Sequence, residues 1–303
     1  MKNSQHNVFD GIRAGADESK RFTTFLGQSD FSPNTEEAMT VDVRKFARWF
    51  SEANKEPFMV DRVTTRDVTD FRTHIRRKQG QAVSTANRAL ATLRRYFRWL
   101  VEKEHITASP VAGVKELRRQ QLSPQGLQRP QVRKLLREIE LRKDVRAAAI
   151  FNTFIYTGCR VSDLVNLELS DVVIGERSGS IVLRHGKGQK ERTVPLPAPA
   201  RQALSAYLAA RPDSESDRVF LGERGPLTRH GLTALCEKYG GICGFHLHPH
   251  KLRHTMAHRF LADNQNDLVS LSQILGHASI SVTARYTQRS QDELAAAAEN
   301  LTY

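Results

Sequence analysis

The chain is poor in the features that mark secretion, membrane insertion or nucleotide use. Its 303 residues hold three cysteines, Cys159, Cys236 and Cys243, which cannot all pair, and no CxxC occurs. A disulfide framework is therefore excluded, and a reduced, cytoplasmic setting is expected. The most apolar stretch, Ala147 to Tyr156, is far shorter than the ~20 residues a membrane span requires. The opening segment MKNSQHNVFDGIRAG has no apolar signal core, so export is not expected. No GxxxxGK(S/T) loop occurs, which removes the usual cradle for a nucleotide triphosphate. There is no internal repeat and no long low-complexity segment. Acid is also scarce: 33 Asp and Glu stand against 46 Lys and Arg, a formal charge of +13. Such an excess favours a polyanionic partner, nucleic acid or an acidic membrane surface.

What is present falls into two parts. Residues 1–18 are polar and Gly-containing, and are expected to form a flexible arm. Residues 19–114 carry helical patterning throughout. Phe22, Phe25 and Leu26 make a short apolar stripe. Ser32 and Pro33 start a second helix, Ser as cap and Pro in the first turn. Val41, Val43, Phe46, Trp49 and Phe50 follow at spacings that predict a buried face. A third helix opens at Thr65 with Val68, Phe71 and Ile75, and a fourth at Ser84 with Leu90, Leu93, Phe97, Trp99 and Leu100. The aromatics sit at core spacing, so they are read as packing and not as base-stacking platforms.

The charges of this bundle are uneven. Arg72, Arg76, Arg77, Lys78, Arg88, Arg94, Arg95 and Arg98 crowd the third and fourth helices with few acids between them. An ordinary solvated face interleaves Glu with Lys; this one is read as a phosphate-binding face. Residues 115–126, KELRRQQLSPQG, are basic and end in Pro and Gly, as an interdomain linker does. A basic linker suits a protein whose two halves close around a duplex. Residues 127–303 form the second domain. Helical patterns start at Pro130 and run from Asp144 to Tyr156, Ala198 to Ala210 and Thr228 to Tyr239. Between them, SIVLR (180–184) and RTVPL (192–196) flank a Gly-rich turn, a hairpin signal. The expected fold class is mainly α: a helical bundle, then a mixed α domain with a small antiparallel β-sheet.

The chemistry concentrates near the end, between His246 and Tyr286. There basic and imidazole side chains precede one tyrosine, with no carboxylate pair beside them. Breaking DNA without a metal needs a nucleophile at phosphorus, fixed cations for the charge that builds on the non-bridging oxygens, and an acid for the departing oxygen. Arg suits the phosphate because its fork is planar and always charged; Lys suits the acid role because its proton is transferable. Tyr286 is the candidate nucleophile: Gly276 ends one helix, Ser279 can cap the next, and Tyr286 lies two turns on. The other tyrosines lie in helical patterns or at the terminus.

Five blocks now stand in order: YTGCRVSDL, GKGQKERTVPL, HKLRH, LGHASI, and Tyr286 nine residues after His277. In types, order and spacing they resemble the tyrosine recombinase (phage integrase) family, strongly over 150–287. The bundle, with FSPNTEEAMTVDVRKFARWF, more loosely resembles the family's core-binding, SAM-like domain. The resemblance implies that Arg160 and Arg253 clamp the scissile phosphate. It implies that Lys187 protonates the leaving 5′ oxygen and that His250 serves in proton transfer and phosphate positioning. His277 would donate a hydrogen bond to the phosphate, and Tyr286 would form a 3′-phosphotyrosyl link. Asp163, at the family's acidic position, would buttress the site. Cys159 stands where other small or apolar residues are common.

The implied partner is double-stranded DNA carrying specific recombination sites, bound by four protomers of an Xer-like or mobile-element recombinase, with no metal, no ATP and no membrane. The arginines at 72, 76, 77, 88, 94, 95 and 98 would contact DNA. His254 and His258 are read as packing or capping residues. His246, His248, His250 and Cys243 could form a zinc site, but Pro249 interrupts the run and no second Cys sits at finger spacing, so no metal is expected. A type IB topoisomerase-like nicking-closing enzyme and a DNA-binding protein that has lost cleavage are the alternatives. The tail SQDELAAAAENLTY has Leu294 and Leu301 at helical spacing. It would either dock on a neighbouring protomer or fold back on its own domain.

Overall fold

The computed structural model describes residues 7–118, 125–184, 191–277, 279–287 and 298–299. The chain divides into two compact units, Met1–Gln121 and Leu122–Tyr303, each with its own apolar core. The linker expected over 115–126 is described only at its two ends, and nearly all of the tail after Thr287 lies outside the described residues.

In the first unit, α1 (Glu18–Gly27), α2 (Pro33–Asn54), α3 (Thr65–Thr73) and α4 (Val83–Glu102) form a bundle. α2 starts where Ser32, in extended conformation, hands over to Pro33, whose locked φ suits a first turn. α3 starts on a reciprocal cap: Asp67 N donates to Thr64 Oγ1 at 3.3 Å, and Thr64 N donates to Asp67 Oδ2 at 2.8 Å. It closes in a π-helical turn, His74–Lys78, which carries Arg76, Arg77 and Lys78. The core is aromatic. Phe22, Phe25, Phe46, Phe50, Phe58, Phe71 and Phe97 are all fully buried, each contributing about 1.5–3 kcal/mol. Rings meet edge-on, as Phe46 and Phe71 do at 5.0 Å between centroids.

Two expectations for this unit need correction. Residues 7–17 do not form a free arm. Phe9 is buried against Phe58, with centroids 5.5 Å apart. Around it, Phe58 N donates to Arg13 O at 2.8 Å and Gly15 N donates to Phe58 O at 2.9 Å. The anchor is one Phe in a polar stretch whose partner lies far along the chain. Residues 1–6 are outside the described set. In α2, Val41 is 54% exposed while Asp42 is 2% exposed. The buried line runs through Met39, Val43, Phe46, Ala47 and Phe50, which places Asp42 inward and Val41 outward. Arg88 Nη2 donates to Asp42 Oδ1 at 2.9 Å and Thr92 Oγ1 donates to Oδ2 at 3.0 Å. Burial raises the Asp42 carboxyl above its ordinary range, and Arg88 opposes that rise.

The second unit contains α5 (Arg129–Leu141), α6 (Val145–Thr157), α7 (Val161–Val165), α8 (Ala198–Ala210), α9 (Arg229–Cys243), α10 (Pro249–Asp263), α11 (Leu268–Leu275) and α12 (Ile280–Thr283). A 3-10 turn, Ala284–Thr287, follows α12. Strands β1 (Val172–Ile174), β2 (Gly179–Leu183) and β3 (Arg192–Pro195) form an antiparallel sheet in that order, and β4 (Leu221–Gly222) and β5 (Gly225–Pro226) form a small ribbon. The expected hairpin is β2–β3, in register Ile181↔Val194 and Leu183↔Arg192. β1, only three residues long, is too short to leave a pattern in the sequence. The chain is mainly α with small antiparallel sheets.

α6 is the central helix. Asp144 caps it, accepting from Ala147 N at 2.9 Å, and Ala147, Ala149, Ile150, Phe151 and Phe154 are buried against α8, α10 and α5. It ends at Gly158 with φ +59°. A Cβ there would stand 2.8 Å from Leu275 Cδ2 and 3.1 Å from Met256 Sδ. Glycine thus lets the end of α6 press against α10 and α11, where the functional side chains gather.

Candidate active site

The last carbonyls of a helix have no partners within it and carry partial negative charge. Here they are met by guanidiniums. Arg192 Nε donates to Ile274 O at 3.1 Å, Arg253 Nη2 to Leu275 O at 2.9 Å, and Arg160 Nη2 to Gly276 O at 3.0 Å. Three consecutive residues at the end of α11 therefore hold three arginines. Arg253 Nη1 also donates to Gly158 O, at the end of α6. Gly276 has φ +63°, and a Cβ on it would stand 2.8 Å from Arg192 Cδ.

Arg160 precedes α7, and its backbone N donates to Asp163 Oδ2 at 3.0 Å. Arg192 Nη2 donates to the same oxygen at 2.6 Å, with the Asp163 side chain fully buried. One carboxylate thus braces the strand β3 cation and the start of α7. Burial lowers the Arg160 pKa, Asp163 opposes this, and Arg192 adds to it. Arg160 Nη1 is buried without a hydrogen-bond partner among the described residues. An unmet buried guanidinium donor is costly, and an anionic oxygen is the chemistry that satisfies it.

Arg253, 5% exposed, also reaches His277, whose Nε2 lies 3.0 Å from Nη2. Nδ1 of His277 lies 2.7 Å from Thr283 Oγ1. Burial, then the charges of Arg253, Arg160 and Arg192, push the His277 pKa down to about 4. Burial and Arg160 lower Arg253 to about 10.

Tyr286 sits in the turn after α12, whose cap is Ser279, accepting from Ser281 N at 3.3 Å. Its ring is 8% exposed and packs with Met256, Leu261, Leu271 and Leu275. Burial pushes the Tyr286 hydroxyl pKa up, and the neighbouring Arg253 charge pulls it back. Nδ1 of His254 lies 3.0 Å from the Tyr286 hydroxyl. Burial and the surrounding cations push His254 down to about 4. His250, one turn earlier on α10, is exposed; its ring stacks loosely on His254 at 6.4 Å, and its pKa is lowered by burial and by Arg253.

Arg160, Asp163, Arg253, His277 and Tyr286 thus come together from segments far apart in the chain. Lys187 lies outside the described residues, in sequence between Leu183 of β2 and Arg192 of β3, and Arg192 touches Asp163. Sequence reasoning assigned no role to Arg192 or Thr283, and read His254 as packing or capping. Arg192 stands inside the hairpin block itself. His250, His254 and His258 recur every fourth residue, one face of a helix, a signal that could have marked His254. His248 has another use: its Nδ1 accepts from Lys251 N at 3.2 Å and caps α10. No three potential metal ligands cluster among the described residues.

The arginines read as a DNA face have mixed surroundings. Arg88 holds Asp42, Arg72 donates to Lys115 O, Arg76 donates to Gln81 O, and Arg94 donates to Val114 O and Glu116. Arg95 lies over the Phe31 ring at 5.2 Å. Arg77, Arg95 and Arg98 are exposed. No helix among the described residues is long and apolar enough to cross a membrane.

Residues 125–293 match the Phage integrase family, and residues 20–104 match the Phage integrase, N-terminal SAM-like domain. Tyrosine recombinase XerA of Thermococcus onnurineus (strain NA1) is 32% identical over 285 residues, 92% of this chain and 93% of the relative. Tyrosine recombinase XerC of Actinobacillus pleuropneumoniae serotype 7 (strain AP76) is 32% identical over 224 residues, 72% of each. Among solved structures, XerH site-specific recombinase bound to palindromic difH substrate in a post-cleavage complex shares the fold. Its TM-score is 0.75 at 19% identity, covering 99% of this chain and 91% of that one. The Tn1549 transposon integrase with circular intermediate DNA gives a TM-score of 0.70 at 18% identity, covering 93% and 98%. By the match across its second unit and by relatives of this similarity, the chain belongs to the phage integrase family of tyrosine recombinases, enzymes that break and rejoin DNA at specific sites through a tyrosine.

Proposed function

We propose that Tyr286 attacks the scissile phosphate while Arg160 and Arg253 neutralise the charge that develops on its non-bridging oxygens. The new bond joins Tyr286 to the 3′ phosphate, and the 5′ oxygen leaves with a proton from Lys187. His250 serves in proton transfer and phosphate positioning, His277 donates a hydrogen bond to the phosphate, and Asp163 holds Arg160 and β3 in place. The attack of a new 5′ hydroxyl on the phosphotyrosine reverses the step and rejoins the strand, so the bond energy is conserved without metal or ATP. Each well-placed cationic donor contributes roughly 3–4 kcal/mol to such a transition state. The observation that carries this reading is the position of Arg253, which hydrogen-bonds His277 and lies beside the hydroxyl of Tyr286.

The partner is double-stranded DNA with specific sites, engaged by a tetramer. Arg77, Arg95 and Arg98 make phosphate contacts, with Arg72, Arg76, Arg88 and Arg94 placed near the duplex by the same bundle. The +13 charge and the free cysteines fit a DNA-acting protein of the cytoplasm. The relatives named Xer and the transposon integrase favour an Xer-like or mobile-element recombinase.

The test is covalent trapping in EDTA on DNA flanking the gene and on a random-sequence library. A 3′-linked adduct formed by the wild type and lost in Tyr286→Phe is expected. An adduct that survives in Tyr286→Phe, or salt-sensitive binding with no adduct on either DNA, would overturn the reading.

A further inference from the structure

The hydroxyl of a tyrosine is a poor nucleophile until its proton is taken; the family blocks offer His250 for proton transfer, yet the imidazole that reaches the Tyr286 hydroxyl is a different one. Among the described residues, the basic nitrogen found within hydrogen-bond distance of the Tyr286 hydroxyl is Nδ1 of His254, at 3.0 Å. His254 follows Arg253 on α10, so the two side chains leave the helix about 100° apart. Arg253 turns toward Gly158 O, Leu275 O and His277, while His254 turns to Tyr286. The contact is built from both sides. His254 and Tyr286 ring centroids are 5.6 Å apart, and His258, one turn further on, meets the Tyr286 ring at 5.3 Å and 87°. The backbone of α10 at His254 and Thr255 is itself fixed: Gly126 lies against it, and Leu127 N donates to Thr255 Oγ1 at 2.7 Å.

We infer that His254 is the general base of the cleavage step, accepting the Tyr286 proton at Nδ1 as the phenol oxygen bonds to phosphorus. This rests on the reading of Tyr286 as nucleophile. The proton balance is complete. The Tyr286 O–H breaks, Nδ1 gains the proton, the oxygen–phosphorus bond forms, and the phosphorus–O5′ bond breaks with the proton for O5′ coming from Lys187. On religation His254 returns its proton to the tyrosine oxygen, and Lys187 recovers its own from the attacking 5′ hydroxyl.

A neutral imidazole is the required starting form. The groups facing His254 are His248, His250, Arg253 and His258 on α10 and Tyr286 from the turn after α12, with Arg285 beside Tyr286. Burial above all, with the charge of Arg253 adding to it, keeps it neutral at pH 7. A base held so low cannot ionise the phenol on its own. The transfer accompanies attack, when the arriving phosphate charge raises the basicity of His254 and the forming bond acidifies the phenol.

The experiment uses the full chain and a nicked duplex built on the site recovered by adduct trapping. Single-turnover cleavage is followed from pH 6 to pH 9.5 for wild type, His254→Asn and Lys187→Ala. A second duplex carries sulfur at the bridging 5′ position, a leaving group that needs no acid. His254→Asn keeps a hydrogen-bonding side chain but takes up no proton in this range. We expect a loss of about 100-fold or more at pH 7, with the rate then climbing about tenfold per pH unit toward ionisation of Tyr286, while wild type stays level. Bridging sulfur is expected to rescue Lys187→Ala and leave the His254→Asn defect in place. DNA binding and the far-UV spectrum establish that the variant is folded. Wild-type rates in folded His254→Asn, a loss with an unchanged pH profile, or rescue by bridging sulfur would each overturn the proposal. Cleavage by Tyr286→Phe on the same duplex would instead overturn the reading on which it rests.

Discussion

Arg253 Nη2 and His277 Nε2 are 3.0 Å apart, and the guanidinium can only donate. Nε2 of His277 therefore presents its lone pair, and the ring proton sits on Nδ1, donated to Thr283 Oγ1 at 2.7 Å. In this arrangement the imidazole is neutral, in keeping with a pKa near 4. To donate to a phosphate from Nε2, it must gain a proton as the anion arrives. Nitrogen NMR of His277 should show the Nδ1–H tautomer in the free protein and an imidazolium when a DNA phosphate binds. Thr283→Val, which leaves Nδ1–H unmet, should cost about 1–3 kcal/mol in urea unfolding and slow cleavage at unchanged DNA affinity.

Asp163 accepts from Arg160 N and from Arg192 Nη2 with no exposed side-chain surface. Breaking such a buried pair costs about 3–5 kcal/mol. Asp163→Ala should lower the unfolding free energy by that amount, with a matching fall in the denaturation midpoint, and reduce cleavage further at temperatures where the variant stays folded. A midpoint equal to wild type would show that the pair carries no structural burden.

Gly276→Ala should injure the site more than the fold. The substitution meets a φ of +63° and Arg192 at 2.8 Å. We expect a loss of about 1–2 kcal/mol of stability, with adduct formation falling well beyond the fraction unfolded. Circular dichroism and trapping on the same preparation separate the two effects.

Acid should weaken the catalytic unit. His254 and His277 bind protons near 6.5 when unfolded but near 4 when folded, and His250 is shifted the same way. The unfolded chain then takes up more protons as pH falls below 6.5, so stability drops from there down to about 4 and is level in these groups above 6.5. The urea midpoint at pH 5 should lie below that at pH 7.5. Replacing His277 with Gln should reduce the difference.

The basic helices should divide into two kinds of cation. Arg77→Ala and Arg98→Ala, at exposed positions, should each reduce the slope of log affinity against log salt by about 1. Arg88→Ala should instead lose about 1–2 kcal/mol of stability, because Asp42 stays buried without its cation.

Local grammar made much of this molecule legible. Pro33, the start of the third helix at Thr65, the period of Val43, Phe46 and Phe50, and the hairpin strands all lie within a few residues of their consequences. The five blocks led to the family, and to residues that the fold gathers around α6, α10 and α11. What escaped depends on distant partners. Phe9 looked like an isolated aromatic because Phe58 is remote in the chain. Asp42 went unread because Arg88 and Thr92 sit on another helix. His254 looked like packing because the tyrosine hydroxyl reaches it across 32 positions. The main-chain acceptors that hold the arginines could not be read at all, since a carbonyl has no letter in the sequence.

Those acceptors tie the site to the end of a single short helix. Ile274, Leu275 and Gly276 each hold a different arginine, and Tyr286 follows them on the same stretch of chain. A displacement of the end of α11 would loosen Arg192, Arg253 and Arg160 together. The end of one short helix is thus shared by three arginines, and a change there is felt by all of them at once.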